Sequence, residues 1–176
     1  MDTFIQQIIN GLVLGSIYAL VALGYTMVYG ILGLINFAHG EVVMVGALTA
    51  LSIVKVLSGS GLPGPVVALL GLLGAVPVCM ALGFTIERVA YRPLRNAPRL
   101  APLITAIGVS IVLQQLMMLG WGSTYLSFPQ LFSAQPHSLM GASINDLQIM
   151  IICVAAAMMV GLVLLMQKTR IGRAMR

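Results

Sequence analysis

The chain has 176 residues, of which 60% are hydrophobic and only 7% charged. A soluble domain carries about 25% charged residues, so this composition excludes a soluble globular fold and implies an integral membrane protein. The net charge of +5 is not a nucleic-acid footprint: Lys55 apart, the nine basic residues fall in two short clusters, at 88–99 and 168–176, with no interleaved stacking aromatics.

In chain order, the first apolar run covers about residues 4–29. It follows Met1-Asp2-Thr3, which lacks the basic start of a signal peptide, and it is too long and glycine-rich for a cleaved segment, so it reads as a mature first span. Gly11 and Gly15 in this run have the small-xxx-small spacing that lets helix backbones approach closely.

The second run, about 31–57, opens with Ile35-Asn36-Phe37-Ala38-His39-Gly40-Glu41. Its clean apolar part, 42–54, is too short to cross alone, because a span needs about 20 residues. The reading is a broken or half-helix segment near 31–41. Irregular backbone at that depth is tolerated only where protein or a water-filled cavity covers it.

The third run, about 66–86, carries Gly71 and Ala75 at the same close-packing spacing, with Gly74 on an adjacent face. Its mid-run Pro77 removes a backbone bond and predicts a kink. The fourth run, about 101–121, contains Gln114-Gln115, and the fifth covers about 147–166. The expected fold class is therefore all-α: a polytopic transmembrane helical bundle of about five spans, forming a single transmembrane domain over 1–176.

Orientation follows from the arginines. Cytoplasmic loops are enriched in Lys and Arg, which places Arg88, Arg92, Arg95 and Arg99 inside, together with the 168–176 tail. Spans four and five then make one excursion, with 122–146 outside. The turn at 58–63 and the N-terminus also fall outside if the second run crosses once. Lys55, near the outer end of that run, can extend its stem to the interface.

Few constellations carry chemistry. There is no phosphate-binding glycine loop followed by Lys-Ser or Lys-Thr, so the chain does not itself hydrolyse nucleotide. His39 and His137 lie too far apart to share a metal, and no metal site is expected. Cys79 and Cys153 sit in apolar runs and read as small apolar fillers. Ser16 and Ser110 have no neighbouring base in sequence, so each reads as bonding its own backbone or a neighbouring helix.

The polar cluster is the exception. An ionised carboxylate at the centre of a membrane helix costs roughly 2.5–3.5 kcal/mol on insertion scales, so such residues need partners, water or an interface. On a helix, Asn36 and His39 share a face while Glu41 is rotated away. Two readings stay open. Either Glu41 is solvated at the inner interface, with His39 bonding locally, or Asn36, His39, Gly40 and Glu41 line a conduit, with Gly40 allowing a local break. Gln114 and Gln115 either line the same conduit or bond across helices.

These residues carry a resemblance. Ile35 to Gly40, followed by Met44-Val45-Gly46-Ala47, resembles the signature of branched-chain amino acid ABC transporter permeases. The run from Gly11 to Leu20 with Ala22-Leu23-Gly24 resembles that family's first span. Glu87-Arg88 with Tyr91-Arg92-Pro93-Leu94-Arg95 resembles its first large cytoplasmic loop. Thr169-Arg170-Ile171-Gly172-Arg173-Ala174-Met175-Arg176 resembles the stretch before its ATPase-coupling loop. The likeness covers the whole chain and is strongest to the first of the two paralogous permease subunits.

Family members are longer, with a coupling loop and further spans beyond Arg176, so the resemblance implies the N-terminal part of a longer permease domain. It also implies a non-enzymatic subunit of the bacterial inner membrane that moves branched-chain amino acids by ATP-driven alternating access. Expected partners are a paralogous permease, two cytoplasmic ATPases that bind the ATP, and a periplasmic substrate-binding protein. No cofactor is expected in this chain. The resemblance places ATPase coupling at Arg170, Gly172 and Arg173. The rival reading is a membrane scaffold or assembly subunit with no transport path, which fits the glycine-rich surfaces and the absence of a catalytic set.

Overall fold

A computed structural model describes residues 2–32, 36–94, 97–98, 100–131, 136–139 and 142–168. The order is α1 (Asp2–Leu32), α2 (His39–Leu57), α3 (Gly64–Ile86), a π-helical turn (Glu87–Tyr91), a 3-10 turn (Arg92–Leu94), α4 (Leu100–Trp121), strands β1 (Pro136–Leu139) and β2 (Ala142–Asn145), and α5 (Asp146–Lys168). Among the described residues, five helices are long and apolar enough to cross a membrane. The protein is a multi-pass membrane protein, and its described residues are all-α apart from one two-stranded hairpin.

The helices form two compact units, 1–33 with 132–176, and 34–131. In the first, α1 packs on α5. Their N-terminal ends are tied by amides. The Gln6 Oε1 accepts the Ser143 backbone N–H at 2.9 Å, and the Gln148 Nε2 donates to the Asn10 Oδ1 at 3.3 Å. Residues near the start of both helices meet, so α1 and α5 run parallel. The Gln148 side chain also reaches back to the Asn145 N–H at 3.1 Å, one half of a capping box at the start of α5. The hairpin pairs Pro136 with Asn145 and Leu139 with Ala142. It was not legible in sequence because four-residue strands carry almost no periodicity.

In the second unit, α2 is an unbroken 19-residue helix from His39, about 28 Å long at 1.5 Å per residue, so it reaches across alone. The break expected within 31–41 falls before it, with a turn at 36–38. Gly40, expected at the break, lies instead in the first turn of α2. The turn is held locally: the Asn36 Oδ1 accepts the Ala38 N–H at 3.0 Å, and the Asn36 carbonyl accepts the His39 N–H at 3.1 Å. These bonds satisfy backbone donors that precede the first helical turn.

Helices α2 and α3 pack antiparallel through small residues. A Cβ on Gly46 would lie 2.7 Å from the Cys79 Sγ, one on Gly71 would lie 2.9 Å from the Val54 Cγ2 and 3.3 Å from the Ala50 carbonyl, and one on Gly74 would meet the Ile53 Cδ1. Gly71 and Ala75 are both buried in this seam. Lipid tails are as apolar as Val54 or Val67, each 1% exposed, so the seam is held by dispersion between closely approaching backbones rather than by removal from water. Gly11 and Gly15, expected at a similar approach, have nothing within 4 Å of an added Cβ.

Helix α3 runs on through Pro77 and ends in the π turn, where the Arg92 N–H bonds the Glu87 carbonyl. Pro93 follows inside the 3-10 turn, and Arg92 before it keeps helical dihedrals, with φ of -58° and ψ of -42°. Helix α4 stops at Gly122, whose φ of +83° is the left-handed conformation a helix terminus favours and whose N–H still bonds the Met118 carbonyl at 2.9 Å.

Candidate functional site

The polar cluster is divided between two partners. The turn before α2 holds Asn36 against the π turn after α3, where the Tyr91 hydroxyl donates to the Asn36 Oδ1 at 2.5 Å. Five residues in one wide turn re-aim the helix end, so Tyr91 lies beside the α2 start although 55 positions separate the two residues. Arg88 stacks back over the Phe84 ring, its guanidinium carbon 5.9 Å from the centroid.

Glu41 faces a different helix. Its Oε1 accepts the Ser110 hydroxyl at 2.9 Å and the Gln114 Nε2 at 2.6 Å, both from α4. Glu41 and Asn36 therefore bond to different elements; Asn36 lies in the turn before α2, so the rotation expected along one helix does not relate the two. Ser110 bonds across to a neighbouring helix, whereas Ser16 bonds its own helix at the Leu12 carbonyl, 2.7 Å away. Gln114 is the amide that bonds across; Gln115, one position on, is exposed and takes no part in this pair. His39 is half-buried as the first residue of α2. Arg170, Gly172 and Arg173, expected at ATPase coupling, lie outside the described residues.

A second bridge joins the same helices further along. The Trp121 indole N–H donates to the Ser52 hydroxyl at 2.9 Å, and that hydroxyl donates to the Leu48 carbonyl at 2.8 Å. Eleven residues separate Glu41 from Ser52, and eleven separate Ser110 from Trp121. Equal spacing in the same direction means that α2 and α4 run parallel here. Eleven residues are close to three turns, so both bridges lie on one face of each helix, roughly 16 Å apart along the axis.

Between and beside the bridges lies an open cavity of about 470 Å³. Its walls include Met44 and Leu48 from α2 and Gln114, Met117, Met118 and Trp121 from α4, with Thr124, Tyr125 and Leu126 from the segment that follows. Sequence reading found Gln114 but missed Met44, Leu48, Ser52, Trp121 and Tyr91. The signal for the α4 set was available: positions 110, 114, 117 and 121 recur at helical spacing, and 41, 44, 48 and 52 do so on α2. What sequence does not give is that these two stripes meet.

The chain matches the family described as branched-chain amino acid transport system, permease component, over residues 7–176. It is 47% identical over 178 aligned residues to a protein of Pseudomonas aeruginosa named high-affinity branched-chain amino acid transport system permease protein BraD, and equally to LivH of Escherichia coli, the permease protein of the same kind of system. Each alignment covers 98% of this chain and 58% of the relative. A probable branched-chain amino acid transport permease protein of Methanocaldococcus jannaschii is 28% identical over 97% of the chain. The chain thus spans little more than half the length of the curated relatives it matches. No solved structure matches it at a significant level.

Proposed function

This chain belongs to the family of branched-chain amino acid transport permease components, transport proteins rather than enzymes, and from that premise we propose that it carries branched-chain amino acids across the bacterial inner membrane as part of an ATP-driven importer. In this reading its partners are a paralogous permease, two cytoplasmic ATPases that bind the nucleotide, and a periplasmic binding protein that delivers the substrate. The chain contributes no cofactor and makes no covalent bond. Its residues form part of a single permease domain that alternates between outward and inward access.

The observation that carries this reading is the α2–α4 face. It combines a mainly apolar cavity with polar groups confined to a few positions, Gln114 and the Glu41 behind it at one end and Thr124 at the other. Small-molecule sites have this character: apolar walls supply area and a few placed polar groups fix orientation. An aliphatic amino acid needs such a combination. In the same reading the pathway also passes the cytoplasmic end of α2, where Asn36 lies in the turn before the helix and His39 and Gly40 begin it, and Gln115 adds a polar group to α4 beside Gln114. Arg170, Gly172 and Arg173 meet the ATPases, since a basic segment pairs with acidic groups on a partner.

The test is uptake of radiolabelled leucine into vesicles holding the assembled transporter, with binding protein outside and ATP inside. Leucine accumulation that requires both ATP and this subunit supports the proposal. A complex that assembles and yet accumulates no leucine points to the scaffold reading instead. In the same preparation, Arg173→Glu should lower leucine-stimulated ATP hydrolysis without weakening binding-protein docking, and unchanged hydrolysis removes Arg173 from the coupling surface.

A further inference from the structure

We infer that the cavity between α2 and α4 is the subsite for the substrate's aliphatic side chain, and that its methionine wall makes it tolerant among branched side chains while rejecting charged ones. This inference rests on the transport reading above and deepens it, because it assigns residues to the apolar part of the ligand.

Three features of the cavity converge on this assignment. The first is size. A volume of about 470 Å³ lies within the range of small-molecule sites, roughly 300–1,000 Å³, and towards its lower end, so it suits one small ligand rather than a peptide. The second is the wall. Met44, Leu48, Met117 and Met118 present apolar side chains with no charged group among the lining residues. An aliphatic chain is accepted there, whereas that stretch of wall offers no polar partner to the carboxylate of an acidic side chain or the ammonium of a basic one. Methionine is unbranched and has several rotatable bonds, so a wall of three methionines repacks around side chains of different branching. This favours similar affinity for leucine, isoleucine and valine.

The third feature is the polar end. Gln114 spends its Nε2 hydrogen bond on Glu41, and that bond aligns the amide. The Gln114 Oε1 remains a carbonyl acceptor on a residue lining the cavity, and an amide has acceptor capacity for an ammonium N–H. The Glu41 carboxylate behind it gives this end negative character, matching the substrate's ammonium and not its carboxylate. Gln114 is then the group that orients the ligand, and Glu41 is a positioning residue that holds Gln114. At the far end the Trp121–Ser52 bond fixes the indole, a rigid wall against which the side chain stops.

Two measurements on the assembled transporter test this. In the first, a leucine analogue bearing a diazirine in its side chain is photolysed with the transporter, and the adducts are mapped by mass spectrometry. Adducts on peptides containing Met44, Leu48, Met117 or Met118, suppressed by excess leucine and not by excess lysine, are the expected result. Leucine-protected adducts confined to other segments overturn the assignment. In the second, Leu48→Trp fills the cavity and should lower leucine uptake at least tenfold in a complex that still assembles and docks the binding protein. The control Leu119→Trp, at a position 84% exposed and absent from the cavity wall, should leave uptake within twofold. Equal uptake by both variants overturns the assignment. If Leu48→Trp does not assemble, the photolabelling of the unaltered protein still decides. Failure of the transport reading looks different, since the unaltered transporter would then accumulate no leucine.

Discussion

Glu41 and Gln114 lie 73 positions apart, and the Gln114 Nε2 donates to the Glu41 Oε1 at 2.6 Å. The bond ties the first turn of α2 to the middle of α4, and Ser110 adds a second donor to the same oxygen. Hydrogen bonds to a charged group are worth about 1.5–3 kcal/mol; because Gln114 is exposed, a coupling of about 1 kcal/mol is expected here. In a double-variant cycle with Glu41→Leu and Gln114→Leu, the apparent unfolding midpoint of the solubilised protein should fall no further in the double variant than in the worse single one. Glu41→Gln, which keeps an acceptor oxygen and removes the charge, should give an intermediate loss. Fully additive losses would show that the two residues stabilise the protein independently.

The α2–α3 seam makes a second prediction. A side chain at Gly71 meets Val54 and the Ala50 backbone, whereas one at Gly83 on the same helix meets nothing within 4 Å. Gly71→Leu should therefore lower purified yield and thermal midpoint, by roughly 1–3 kcal/mol of overpacking, while Gly83→Leu should stay within about 0.5 kcal/mol. The ordering, read by fluorescence-detected size exclusion after heating, is the decisive quantity. If Gly71→Leu is the milder change, the seam is wrongly described.

A third prediction separates the two bonds of the Asn36 side chain. Tyr91→Phe removes only the hydroxyl donor, whereas Asn36→Leu also removes the acceptor for the Ala38 N–H. Asn36→Leu should be the more harmful by about 1 kcal/mol, the usual net worth of one hydrogen bond. Tyr91→Phe added to Asn36→Leu should cost nothing further. An extra loss in that double variant would mean that the Tyr91 hydroxyl has another role.

Topology supplies the fourth. The loop at 88–99 is basic and the turn at 58–63 is not, so the two should face opposite sides of the membrane, with the loop inside. With Cys79 and Cys153 replaced by Ala, Ser60→Cys should react with an impermeant thiol reagent added outside intact cells, and Ala97→Cys should react only after permeabilisation. Labelling of both from outside contradicts the orientation.

Some of this protein is set by local sequence. Long apolar runs bounded by Gly-Pro turns and arginines determine how many helices can cross and roughly where they end, because the bilayer fixes span length and excludes unpaired backbone. The split of the polar cluster between Tyr91 and α4 was not legible, because Asn36 lies in the turn before α2, where helical rotation does not apply. Gly71 and Ala75 were read as packing residues and are buried, whereas Gly11 and Gly15, with the same spacing, have open space around them. A small-residue pair permits close approach and does not choose the neighbour. The tertiary structure made that choice, and it also brought Tyr91 to Asn36, Gln114 to Glu41 and Trp121 to Ser52. Those contacts cross 55–73 positions and depend on which helices lie side by side, and in a uniformly apolar membrane that is decided by packing and a few hydrogen bonds rather than by hydrophobicity.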